Sequence, residues 1–200
     1  MRRTRPSPRS RKTDAHGQTL VEFAIVFPLF WTVLIGLIEF CFAFQSVLAV
    51  SFSSRNAAVI AAEAGNAPTA DCSILKSIEG DVSAPSSANR ITSIDIYWTD
   101  ANGVPKANST TTYTRDATKT MSCTVSGVSY TLPYGVPSPN GYPSSGRCSI
   151  RSGCAGHVGL DTVGVKVTYN YAYHTPYGSV LGGGGITVVR SSEMRMEPYQ

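Results

Sequence analysis

The chain has 200 residues, enough for one modest domain plus an anchor. Its net charge of +4 is concentrated at one end: Arg2, Arg3, Arg5, Arg9, Arg11 and Lys12 stand against the single acid Asp14, which leaves everything after Gly17 at a net −1. A basic end without interleaved aromatics argues against nucleic acid as a partner, because that function needs a basic surface on a folded domain.

Residues 1–17 contain Pro6 and Pro8 and no hydrophobic periodicity, so they read as a disordered cytoplasmic leader. The chain then turns apolar. Thr19–Phe44 predicts a helix of about 39 Å at ~1.5 Å per residue, long enough to cross a hydrocarbon core of roughly 30 Å with tilt. The basic flank puts the N-terminus in the cytoplasm and the rest outside. This core is too long for a cleaved secretory signal, whose apolar region runs to roughly 15 residues. Pro28 predicts a local bend near Ala24–Pro28, tolerable in a membrane helix. Two carboxylates interrupt the apolar run, Glu22 at its head and Glu39 near its end. A charge at bilayer depth costs about 2.5–3.5 kcal/mol on insertion scales, so each calls for an interfacial position or a partner.

Past the span, Val47, Val50, Ala57, Ala58 and Ala61 keep helical spacing, and Gly65-Asn66-Ala67-Pro68 supplies a stop. Together these predict a helix of about 45 residues. From Asp71 onward the pattern changes to strands and turns. Ile94, Ile96 and Trp98 alternate with Asp95, Tyr97 and Thr99, and Asn102-Gly103 follows as a turn. Val163, Val165, Val167, Tyr169, Tyr171 and Tyr173 form the longest alternating face, and Ile186–Met196 reads as a last strand after Gly182–Gly185. Leu132–Gly156, rich in proline and glycine, reads as loop. The fold class is α+β: a long N-terminal transmembrane helix extending out of the membrane, then a small antiparallel β-rich outer domain. The domain boundaries are 1–17 leader, 18–65 helix and 66–200 outer domain.

Cys41 lies in the span as a small packing residue. Cys72, Cys123, Cys148 and Cys154 are an even set for two disulfides in an oxidising compartment. Of three possible connectivities, Cys148–Cys154 with Cys72–Cys123 is preferred. Cys148, Cys154 and His157 lack a fourth ligand for a metal site. No nucleophile elbow, phosphate loop or acid pair is present, and no cofactor is implied. Asp95, Asp100, Asp116 and Asp161 read as solvated strand and turn residues. No catalytic residue is assigned and the chain reads as a non-enzyme; a membrane-anchored enzyme would need a pocket joining His157 or His174 to a carboxylate.

Gly17 followed five residues later by Glu22 is the remaining signal. Gly17-Gln18, Val21-Glu22-Phe23, Pro28 and Gly36-Leu37-Ile38-Glu39-Phe40 resemble the TadE-like pseudopilin family of tight-adherence (Flp-type) pilus systems, and the close Met194-Arg195-Met196-Glu197-Pro198 is similar too. The resemblance implies a minor pseudopilin in pilus assembly, sited in the inner membrane with a single pass and an outer domain in the periplasm or outside. It implies cleavage between Gly17 and Gln18 by a prepilin peptidase, and assembly contacts through Glu22, Phe23 and Glu39. The implied partners are other pilins and pseudopilins, the pilus assembly platform and the lipid bilayer. The alternative reading is an uncleaved single-span protein whose outer domain binds a surface ligand.

Overall fold

The computed structural model describes residues 15–84, 86–100, 102–149, 154, 156–157, 159–176, 178 and 183–196. Most of the predicted leader, part of the Cys148–Cys154 loop, Gly182 and the closing Glu197-Pro198 lie outside the described residues. Contacts divide the chain into two compact units, 1–38 and 39–200.

The first unit is helical from Ala15, the start of α1, which runs Ala15–Ala64. The helix continues through Pro28. Thr32 Oγ1 donates to the Pro28 carbonyl at 2.5 Å. None of residues 18–38 is buried, and Leu20, Ile25, Leu29 and Val33 are each about two-thirds exposed or more. A helix apolar all round is a membrane span or the core of a large protein. This one is long and apolar enough to cross a membrane.

In the second unit α1 ends where Gly65 takes the left-handed conformation, φ 54°, with its N–H on the Ala61 carbonyl. That is the glycine cap the stop signal predicts. The next element corrects the expectation of strands from Asp71: Ala70–Asp81 is a second helix, α2. Its buried Ala70, Ile74, Leu75 and Ile78 recur at helical spacing over barely three turns, a stretch too short to stand out against the strand-forming composition downstream.

Six strands follow: β1 (Ile91–Thr99), β2 (Pro105–Thr114), β3 (Met121–Val125), β4 (Val128–Leu132), β5 (Thr162–Tyr171) and β6 (Ile186–Arg195). The main sheet has the order β2-β1-β5-β6, antiparallel throughout, while β3 and β4 form a separate hairpin. Ser126 and Gly127 between them both have positive φ, the signature of a tight primed turn whose twist matches its strands.

The core forms where Val50, Ala57, Ala58 and Ala61 of α1 meet α2 and the inner face of the sheet, Ile94 and Ile96 with Val163, Val165, Val167 and Tyr169. The alanines let the helix approach closely. On the opposite face β1 buries Asp95, Tyr97 and Thr99 where the alternation implies solvated positions. Tyr97 lies over Gly164, its direct cross-strand partner, and donates to Glu193 at 3.1 Å. Beside it Asp95 is buried, bound by Lys166 at 2.7 Å and Thr112 at 2.8 Å. Cross-strand neighbours thus cover these β1 side chains.

Candidate functional site

The predicted processing and contact residues sit on the first turns of α1. Gly17 and Gln18 are exposed, and a Cβ at Gly17 would meet nothing within 4 Å. The glycine is therefore not there for packing. Gln18 Nε2 donates to Glu22 Oε1 at 3.0 Å, an exposed i,i+4 contact that turns the carboxylate toward the predicted new N-terminus. Phe23 is 62% exposed and begins an aromatic row, with Phe23 and Phe27 centroids 5.2 Å apart and Phe27 and Trp31 6.1 Å apart.

Glu39 lies in a different setting. It is buried at 6% exposure within the second unit. Its carboxylate accepts the Tyr171 hydroxyl, the His174 N–H at 3.1 Å and the Thr175 N–H at 2.8 Å. Both oxygens are engaged inside the chain, so the burial of the charge is met by donors, as it must be. From Glu39 onward one face of α1 belongs to the folded unit. Within the predicted span every residue of 19–33 is exposed, and residues 34–36 are already partly covered.

Polar side chains further along α1 continue the same seam. Ser86 Oγ donates to Ser46 Oγ at 3.0 Å, Arg190 Nε to Ser51 Oγ at 3.1 Å, and Asn56 Nδ2 to Asp81 Oδ2 at 2.8 Å; Ser54 and Ser192 hydroxyls lie 3.3 Å apart. These serines look dispensable in a sequence. In the fold they tie the helix to β6 and to the segment after α2, while Asn56 ties it to α2 itself.

The four outer cysteines pair as Cys72–Cys123 and Cys148–Cys154, the preferred connectivity. Cys72–Cys123 fastens α2 to β3. The shorter bridge closes a loop anchored by buried polar groups. Arg147, wholly buried, pairs with Asp71, which also accepts the Tyr113 hydroxyl at 2.8 Å. Asp161 is buried as well, against the expectation of a solvated turn. Its Oδ2 accepts the Tyr142 hydroxyl at 2.7 Å and the Cys148 N–H at 2.9 Å, and its Oδ1 meets His157 Nδ1 at 2.5 Å. The structure thus joins His157 to a carboxylate, but one whose two oxygens already hold the loop. Asp100 and Asp116 do sit in turns: Asp100 accepts the N–H groups of Asn102 and Val104, and Asp116 accepts the N–H and hydroxyl of Thr118.

A family model described as TadE-like protein matches residues 17–59. These residues are similar to the TadE-like family. The match begins at the predicted processing glycine and includes Glu22, Phe23 and Glu39. Comparison with curated proteins and with solved structures gave no match. The TadE-like segment therefore covers most of α1, and the outer domain lies beyond it. The sequence signals for Glu22 and Gly17 were visible in their spacing. The partners of Glu39 were not, since Tyr171 lies 132 residues away.

Proposed function

We propose that this chain is a minor pseudopilin-like membrane protein that takes part in assembling a tight-adherence, Flp or type IV-like pilus, as a subunit and not a catalyst. The observation that carries this reading is the TadE-like match opening at Gly17, on a helix whose first turns leave Gly17, Gln18, Glu22 and Phe23 exposed. In this reading the basic leader keeps the precursor oriented in the inner membrane with its N-terminus in the cytoplasm. A prepilin peptidase then cuts between Gly17 and Gln18, where the absence of a side chain gives close access to the backbone.

Cleavage frees the α-amino group of Gln18. In an apolar bundle of helices Glu22 of one subunit neutralises the amine of its neighbour, an ion pair that favours register because losing either partner leaves a buried charge. Phe23 packs beside it. Glu39 acts within the subunit, fixing the outer domain to the helix through its bonds to Tyr171, His174 and Thr175. The two disulfides suit a domain held outside the cytoplasm.

Mass spectrometry of the protein recovered from its native membrane tests the reading. A mature chain starting at Gln18 is the expected result. An intact leader from Met1 would instead make it an uncleaved single-span anchor for its outer domain.

A further inference from the structure

At the end of the sheet opposite Tyr171, where Thr99, Thr162 and Arg195 terminate β1, begin β5 and terminate β6, lies a cleft of about 380 Å³. That volume suits a small-molecule ligand. We propose that this cleft binds a small anionic ligand, through a carboxylate or phosphate group held between Lys106 and Arg195 beside Trp98. The proposal goes beyond the pilus reading and does not depend on it.

Four charged residues line the cleft: Asp100, Lys106, Asp161 and Arg195. The two carboxylates are turned to structural work. Asp100 Oδ1 accepts the N–H groups of Asn102 and Val104, both at 2.9 Å, and so shapes the turn between β1 and β2. Both Asp161 oxygens are taken by His157, Tyr142 and Cys148. The cations are not neutralised in this way: among the described residues neither Lys106 nor Arg195 forms an ion pair with a carboxylate. The uncommitted hydrogen-bonding capacity of the cleft is therefore mainly that of donors, five on the guanidinium and three on the ammonium.

Lys106 is also positioned. Its Nζ lies 3.2 Å from the Trp98 ring centroid, a cation–π contact that holds a long side chain in place. Trp98 in turn stacks on His157, centroids 4.3 Å apart. The His157–Asp161 contact fixes that ring. A point charge on a supported lysine and an arginine able to bind bidentately, lining one cleft from the two edge strands, are a usual donor set for a carboxylate or phosphate.

The test uses the full chain in lipid nanodiscs with Trp31→Phe, which leaves Trp98 as the remaining tryptophan of the two in the sequence. Its fluorescence is followed on titration with glucuronate, inorganic phosphate and neutral glucose. Saturable binding of glucuronate, phosphate or both is expected, with half-saturation near about 1 mM, the scale that typical per-atom efficiencies set for ligands of this size. Which of the two binds more tightly separates a carboxylate source from a phosphate source. Lys106→Met and Arg195→Met should each weaken binding about tenfold or more, as for one lost charge-assisted hydrogen bond, while Lys106→Arg and Arg195→Lys largely retain it. An equal response to glucose, no saturable response to either anion, or unchanged binding in the Lys106→Met/Arg195→Met double variant would overturn the proposal. Both side chains are exposed, so neither substitution threatens the fold.

Discussion

The Tyr171 hydroxyl donates to the carboxylate of Glu39, joining a residue of the apolar helix to the last residue of β5. Two backbone N–H groups just beyond the strand, of His174 and Thr175, complete the shell. A carboxylate near the end of the long apolar run is thereby given a shell of donors and ties the helix to the sheet.

Glu39→Ala should therefore loosen the outer domain from the helix even in isolated protein. It strands a phenol and two amides in a buried site, and each unsatisfied group costs about 1–3 kcal/mol. Lower thermal stability and new proteolytic cleavage near His174 are expected. Tyr171→Phe should be milder, and the double variant less than additive. A Glu39→Ala protein as stable as the parent, but defective only in assembly, would return Glu39 to the role of an intersubunit contact.

The processing residues should behave in the opposite way. A side chain at Gly17 meets nothing in the folded chain, so Gly17→Asp is expected to leave stability unchanged and to block formation of the mature N-terminus. Glu22→Ala should allow the cut, losing only an exposed bond to Gln18, and should impair incorporation into the pilus machinery. Immunoblots for precursor and mature forms, with co-purification of pilins, separate the two defects. Normal incorporation of the Glu22→Ala protein would remove the partner role.

Some of this was legible in the sequence because it is local. The glycine cap at Gly65, the alternation of β5 and the apolar run of α1 each depend on neighbours within a few residues. β2 was missed because its run Lys106–Thr112 has no apolar alternation; as an edge strand it buries mainly Thr111 and Tyr113. The β3–β4 hairpin hides behind a Ser-Gly turn in a stretch short of large apolar residues. Long-range polar contacts leave no periodic trace at all. Nothing near Asp161 announces that Tyr142 and Cys148 will bury it, nor does anything near Glu39 point to Tyr171.

The two disulfides should differ in what they contribute. Cys72–Cys123 closes 51 residues of separation and Cys148–Cys154 only 6. On a chain-entropy account these loops correspond to about 4 and about 2 kcal/mol respectively. Replacing Cys72 and Cys123 by serine should lower the unfolding midpoint markedly and free the β3–β4 hairpin from α2. The Cys148/Cys154 serine pair should cost less globally and act on the loop that carries His157. Equal losses from the two pairs would contradict this ordering.

Alkaline pH should unfold the outer domain before its solvent-facing groups would lead one to expect. Burial raises the tyrosines at 97, 113, 134, 142 and 171, and a hydrogen-bonded carboxylate adds to each: Glu193, Asp71, Glu79, Asp161 and Glu39 in turn. Tyr97 is pushed up to about 12. A phenol whose pKa is higher in the fold than its unfolded value near ~10 holds its proton more tightly when folded. Its contribution is complete below about pH 10 and is lost as pH rises through the folded value. Phenolate absorbance should then rise in two stages, an ordinary one from accessible tyrosines and a later one that coincides with loss of tertiary structure. Tyr97→Phe should reduce the late amplitude. Ionisation of every tyrosine in a single step near the ordinary value, with the fold intact, would show that the carboxylate-bonded phenols are open to solvent.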